Sequence, residues 1–88
     1  GLLALHDETM ARTIDQVWLT FYDAIADRVR LIDPDLDADE ARERAVLITS
    51  LLDGASLQRI EAAGIDRDRF VERTVEQAVT IALGSGCG

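Results

Sequence analysis

The sequence predicts an all-α domain, and three observations carry that prediction. Apolar residues recur at three- and four-residue steps along much of the 88-residue chain, the spacing that places them on one face of a helix. Residues that end helices, Pro34 and Gly64, divide the chain into helix-length segments. Eighty-eight residues also leave room for only one core. We expect three long antiparallel helices plus the end of an earlier one, with residues 1–83 as one domain and residues 84–88 as a flexible tail.

The first full helix is expected over residues 7–31, after residues 1–6, which look like the end of an earlier helix. One face of it is apolar and carries Met10, Ile14, Val17, Trp18, Phe21, Ile25, Val29 and Ile32. Asp33 precedes Pro34, and a residue in that position is disfavoured in the helical region, so the helix ends there.

Capping signals place the other two helices. Asp37 and Glu40 resemble a capping box, in which each side chain accepts from the other residue's backbone N–H. The second helix is expected to run to about residue 63 and to end at Gly64 in the left-handed conformation. Asp66 is expected to cap a third helix over residues 67–83.

The second and third helices have more apolar surface than one neighbour can cover. The apolar arc of the third helix spans roughly 220° at 100° per residue. Surplus apolar surface on adjacent helices predicts a homodimer with a four-helix interface. The interface residues we expect are Val46, Ser50, Gly54, Leu57, Val71, Val75, Val79 and Ala82. Glycine inside a helix costs on the order of 1 kcal/mol relative to alanine, so we interpret Gly54 as a position of close helix approach rather than a mere kink.

The charge balance excludes several partners. Seventeen acidic residues outnumber nine basic ones, all arginine, and the net charge is −8. Such a chain repels the phosphates of nucleic acids and of anionic membranes. No apolar run approaches the length of a membrane span. The single cysteine, Cys87, cannot form a disulfide within the chain, so we expect a soluble protein in the reducing cytoplasm.

No pattern of residues indicates catalysis, a metal or a cofactor. The acidic stretch from Asp33 to Glu43 invites comparison with a calcium-binding loop, but position six is Ala38 and position twelve is Arg44. We interpret it as an exposed connector leading into an acidic first helical turn. His6 is the only histidine, so neither a Ser-His-Asp nor a Cys-His arrangement is expected.

Large aromatic and aliphatic side chains are concentrated on the first helix. Such a stripe is most often core, but it can also line a cavity for an apolar or aromatic small molecule, with the Tyr22 hydroxyl or the Trp18 ring nitrogen as a polar contact. The candidate ligand-binding residues are Met10, Ile14, Trp18, Phe21 and Tyr22.

Residues 41–60 resemble the penultimate helix of TetR-type transcriptional regulators. In that family an alanine-rich start leads into a Leu-Leu-Asp-Gly-Leu-like sequence, and here Leu51, Leu52, Asp53 and Gly54 match it, with Ala55 in place of the usual leucine. The aromatic helix before it, the acidic Asp-Pro connector and the closing helix after Asp66 follow the same order of elements, over about residues 12–83.

The resemblance implies the ligand-binding and dimerisation domain of such a regulator. The family's last two helices pair with their mates, its pocket lies among earlier helices, and its amino-terminal helix-turn-helix, which binds DNA, has no counterpart here. The start at Gly1 rather than Met is consistent with a piece of a longer regulator. A free-standing adaptor or antitoxin-like interaction module is the alternative. An enzyme resembling the small helical chorismate mutases is disfavoured, because Arg12 and Arg30 lie on a polar face and no lysine exists.

Overall fold

Three helices make up the computed structural model: α1 (Leu2–Ile32), α2 (Ala38–Ser56) and α3 (Arg67–Leu83). The structure describes the backbone of residues 2–84 and the side chains of residues 6–84, and no strand occurs in that part of the chain. The all-α prediction is therefore confirmed. Of the expected tail, only Gly84 falls within the described residues, so Cys87 lies outside them.

The expected end of an earlier helix is not a separate element. Residues 2–6 are the first turns of α1, which runs for 31 residues without interruption, so residues 2–84 contain three helices and not four. The physical reason is that no glycine or proline separates Leu5 from Met10, and nothing in that segment ends a helix. At the other end the Asp33 N–H donates to the Val29 carbonyl (3.1 Å), and Pro34 follows as predicted.

The core joins the second half of α1 to the first half of α2. Ala26 is buried with Ala41 and Ala45, and Tyr22, Ile25 and Leu36 pack against them. Alanine at these positions lets two helix backbones come close together, because its side chain fills little of the space between them. At the surface beside this core, an ion pair links α2 to α1, because Arg42 Nη2 lies 2.8 Å from Asp23 Oδ1.

The start of α2 differs in detail from the predicted capping box. Asp37 does occupy the N-cap position, but its side chain makes no capping hydrogen bond. Glu40 reaches forward instead of back, because its carboxylate accepts from Arg44 Nε at 3.1 Å, one turn along the helix. Only the position of the cap was predicted correctly.

The end of α2 also differs from the prediction, which placed it at about residue 63. The helix stops at Ser56, because the N–H groups of Leu57 and Gln58 donate to carbonyls three residues back, those of Gly54 and Ala55. Residues 57–64 form a series of turns that buries Ile60 at 5% exposure. Gly64 does adopt the expected left-handed conformation (φ 75°), but it closes these turns rather than the helix.

The cap of α3 is as predicted. The Asp66 carboxylate accepts from the Arg69 N–H at 3.0 Å, which satisfies one of the free donors of the first turn. Gly84 ends the helix in the left-handed conformation (φ 68°). The guanidinium of Arg44 donates to the Ala82 carbonyl (3.3 Å), and this contact ties the end of α3 to the start of α2.

The three helices form a flat layer. Its extents are 50 × 42 × 18 Å, and the radius of gyration is 16.7 Å. α2 lies between its two neighbours, since α1 and α3 make few contacts with each other. Both broad faces of the layer are therefore open.

Candidate functional site

The three aromatic side chains predicted to bind a ligand form one cluster on α1. The Trp18 ring lies 5.7 Å from that of Tyr22, nearly stacked, and 6.1 Å from that of Phe21, edge to face. Spacing by three and four residues places these rings on the same side of the helix. The structure thus brings Trp18, Phe21 and Tyr22 together.

This aromatic cluster lies at the surface rather than in the core of the described chain. Trp18 is 41% exposed and Phe21 49% exposed, and only Tyr22 is half-buried, where it packs against the alanine core. Met10 and Ile14, the other predicted ligand-binding residues, are 53% and 50% exposed on the part of α1 nearer its start. Ile14 lies one helical turn before Trp18 on this helix.

Two shallow grooves flank Trp18. One of about 280 Å³ is lined by Val17, Trp18, Phe21 and Asp53. The other, of about 400 Å³, lies on the Tyr22 side and is bordered by Asp15. Asp53 comes from α2, so the first groove is formed by two helices.

The predicted interface residues are largely solvent-exposed in the single chain. Val71, Val75 and Val79 form a row along α3 and are 50–51% exposed, and Val46 on α2 is 36% exposed. No residue of α3 is fully buried. An apolar helix face of this kind has no partner among the described residues.

The remaining predicted interface residues vary in environment. Ser50 is exposed, with its hydroxyl donating to the Val46 carbonyl at 2.8 Å, and Leu57 is 81% exposed just beyond α2. Gly54 and Ala82 are partly buried. A Cβ atom built at Gly54 meets nothing within 4 Å, so no other helix of the single chain lies close to this position, and the close approach of a partner helix there stays a prediction.

A larger groove, which the sequence did not reveal, lies between α2 and α3. Its volume is about 760 Å³, and it runs from the turns after α2 along the first half of α3. Leu51, Ile65 and Phe70 give it an apolar lining, and Arg69, Arg73 and Gln77 line its other side. Two arginines one turn apart beside a phenylalanine were the available signal in the sequence.

The two arginines of this groove are unpaired in the described chain, as are Arg28, Arg30 and Arg59, whereas three others form ion pairs. Arg42, Arg44 and Arg67 each form a salt bridge to a carboxylate. Within the part of the chain that the structure describes, neither Arg69 nor Arg73 has a hydrogen-bond or ion-pair partner for its guanidinium.

One ion pair connects the turns after α2 to α3. Arg67 Nη2 donates to Glu61 Oε2 at 2.9 Å, and Arg67 Nε donates to the other carboxylate oxygen. These side-chain hydrogen bonds, helped by a backbone hydrogen bond within Glu61, lower the pKa of Glu61 below its ordinary value. The same contact raises the pKa of Arg67.

Among the described residues no three His, Cys, Asp or Glu side chains come close enough together to hold a metal ion. The acidic connector from Asp33 to Glu43 therefore does not converge on one point. None of the helices described has the combination of length and apolarity needed to cross a bilayer.

Comparisons with protein-family models, curated proteins and solved structures found no match to this chain. The fold and the geometry of the surfaces therefore carry the functional argument.

Proposed function

We propose that this chain is the dimerisation and ligand-sensing domain of a TetR-type transcriptional regulator. It would pair with a second copy through α2 and α3, and the aromatic cluster on α1 would contact an apolar effector. DNA would be bound only through an amino-terminal domain outside this chain. The sequence resemblance of residues 41–60 supports the family, and the open surfaces of the helices support the pairing.

The amount of unpartnered surface is the observation that carries the proposal. The chain exposes 6901 Å², whereas a compact monomer of 9.7 kDa exposes about 5,100 Å². The difference of about 1,800 Å² per chain falls in the range that each partner buries in a large, obligate dimer. The radius of gyration of 16.7 Å also exceeds the value of about 12 Å expected for a compact domain of this length.

We further propose that neighbouring helices run antiparallel. Asp23 of α1 pairs with Arg42 of α2, while Val17 and Phe21 of α1 share a groove with Asp53 of α2. Earlier residues of α1 therefore lie beside later residues of α2, as in an antiparallel pair. Arg44 hydrogen-bonds to Ala82, while Leu51 and Phe70 line the same groove, which supports an antiparallel arrangement of α2 and α3 as well. An antiparallel helix pair docking on its two-fold mate gives a four-helix interface.

The sensing mechanism we propose is linkage between ligand binding and helix arrangement. The groove beside Trp18 is formed by α1 together with Asp53 of α2, a helix of the proposed interface. A ligand that prefers one placement of α1 against α2 shifts the population of dimers toward that placement. The spacing of the DNA-binding domains would change with it.

The test of this proposal uses Trp18, the only tryptophan, as a reporter. Neutral apolar compounds that do not absorb at the excitation wavelength, such as decan-1-ol and menthol, should change its emission saturably. They should also raise the melting temperature, since a ligand that binds only the folded state stabilises it. Trp18→Phe should abolish the optical signal and keep most of the melting shift, and Tyr22→Ala should weaken both.

Thr13→Ala serves as the control, because its side chain contacts only the α1 backbone and lies outside both grooves. A panel of such compounds without any saturable response would contradict the sensing role of this aromatic cluster.

A further inference from the structure

The groove between α2 and α3 has the size and the composition of a small-molecule site. Its volume of about 760 Å³ lies within the range of about 300–1,000 Å³ that such sites occupy. Its apolar lining consists of Leu51 and Phe70, which are half-buried, and of Ile65, which is exposed. Apolar walls with a few convergent polar groups are the usual composition of a ligand site.

Two of the five polar side chains that line the groove are cationic. Arg69 and Arg73 are one helical turn apart on α3, and both side chains line the groove. Neither arginine is paired with a carboxylate in the described structure. An arrangement of this kind leaves two donor forks free for an external anion.

The other polar groups of the groove do not compete for that position. Asp66 also borders the groove, but its Oδ2 atom accepts from the Arg69 backbone N–H at 3.0 Å and is held at the helix start. Thr74 donates its hydroxyl hydrogen to the Phe70 carbonyl at 2.8 Å. The Gln77 amide, farther along α3, adds a neutral donor.

We propose that this groove binds an apolar carboxylate, with its carboxylate on Arg69 and Arg73 and its hydrocarbon against Leu51, Ile65 and Phe70. A carboxylate matches the planar, paired donors of arginine. The hydrocarbon would cover apolar side chains that the single chain leaves open to solvent. All of these residues belong to one chain, and the groove is separate from the aromatic cluster on α1, so the inference does not rest on the proposed function.

The experiment titrates the complete chain with decanoate below its micelle concentration, by calorimetry. Saturable binding of one decanoate per chain is expected. Arg69→Gln and Arg73→Gln should each weaken the affinity about tenfold or more, since each removes a charge-assisted contact. Arg28→Gln, which removes the same charge from an exposed position of α1, should leave the affinity unchanged. Circular dichroism would verify that every variant keeps its helices.

Two further measurements make the outcome decisive. Decyltrimethylammonium, which has the same chain length and the opposite charge, should not bind in the groove. Amide resonances of Phe70, Thr74 and Gln77 should shift on adding decanoate, while those around Trp18 should not.

Several outcomes would overturn the proposal. They are the absence of saturable binding, equal binding of the cation, and decanoate affinity that survives the double arginine variant. Shifts confined to Trp18 would place the carboxylate at the aromatic cluster instead. If decanoate failed to bind, and if replacing both Arg69 and Arg73 by glutamine abolished self-association of the chain, the groove would be a contact between two copies.

Discussion

A leucine at Gly54 is expected to have different effects in the single chain and in the proposed dimer. An added Cβ meets nothing within 4 Å, so the isolated chain has open space beside this residue. In the dimer the same position would face the partner's backbone, and overpacking there typically costs about 1–3 kcal/mol. Gly54→Leu should therefore weaken dimerisation by about tenfold or more while the helix content is preserved.

Sedimentation equilibrium of this variant gives the measurement, and Ser56→Leu supplies the control. Ser56 is an exposed residue at the end of α2, and its hydroxyl donates to the Asp53 carbonyl. A Gly54→Leu dimer with the affinity of the unsubstituted protein would show that no partner approaches this position.

The ion pair between Glu61 and Arg67 predicts how stability depends on pH. Hydrogen bonds from Arg67 lower the pKa of Glu61 in the folded chain below the ordinary value of 4.5. Its stabilising contribution is therefore fully present above that ordinary value and is lost as the pH falls through the lower pKa of the folded state. Glu61→Gln should destabilise the chain at pH 7 and make no difference near pH 2.

Urea unfolding at both pH values provides the measurement. Glu8→Gln removes the same charge from an exposed position near the start of α1, and it controls for the overall negative charge. An effect of Glu61→Gln that is equal at both pH values would contradict the role of this pair.

At the scale of elements, the sequence predicted where helices exist better than where they end. Pro34 and the side chain of Asp66 act locally, so the end of α1 and the cap of α3 followed from the residues beside them. The end of α2 depends on the burial of Ile60, which folds the chain back in turns after Ser56. Burial of that kind is a tertiary effect, and periodicity along one segment does not contain it.

The valine row of α3 gives the prediction for this element. Val75 and Val79 are half exposed in the single chain and would be buried by a partner. An unpaired charge at such an interface costs about 3 kcal/mol or more, which corresponds to a dissociation constant at least about a hundredfold higher. Val75→Glu and Val79→Glu should each raise the dissociation constant by this amount in analytical ultracentrifugation.

Gln16→Glu is the matched control, because it adds the same charge to an exposed position of α1. If the valine variants dimerise as tightly as this control, the interface lies elsewhere on the molecule.

At the scale of the whole molecule, the sequence predicted the composition of the candidate sites but not their surroundings. Spacing along one helix placed Trp18, Phe21 and Tyr22 together, and the structure does so. The same spacing could not reveal that these rings lie at the surface, because burial depends on helices that come from elsewhere in the chain or from a partner. The groove with Arg69 and Arg73 was missed for a related reason, since its walls come from two helices and the turns between them.

The flat shape of the single chain leaves helix faces exposed, and we propose that a second copy covers those of α2 and α3. Light scattering coupled to size-exclusion chromatography measures the mass of the particle in solution without a shape assumption. At micromolar concentration we expect a mass twice the 9.7 kDa of the chain. A particle of 9.7 kDa at that concentration, with its helices intact, would contradict it.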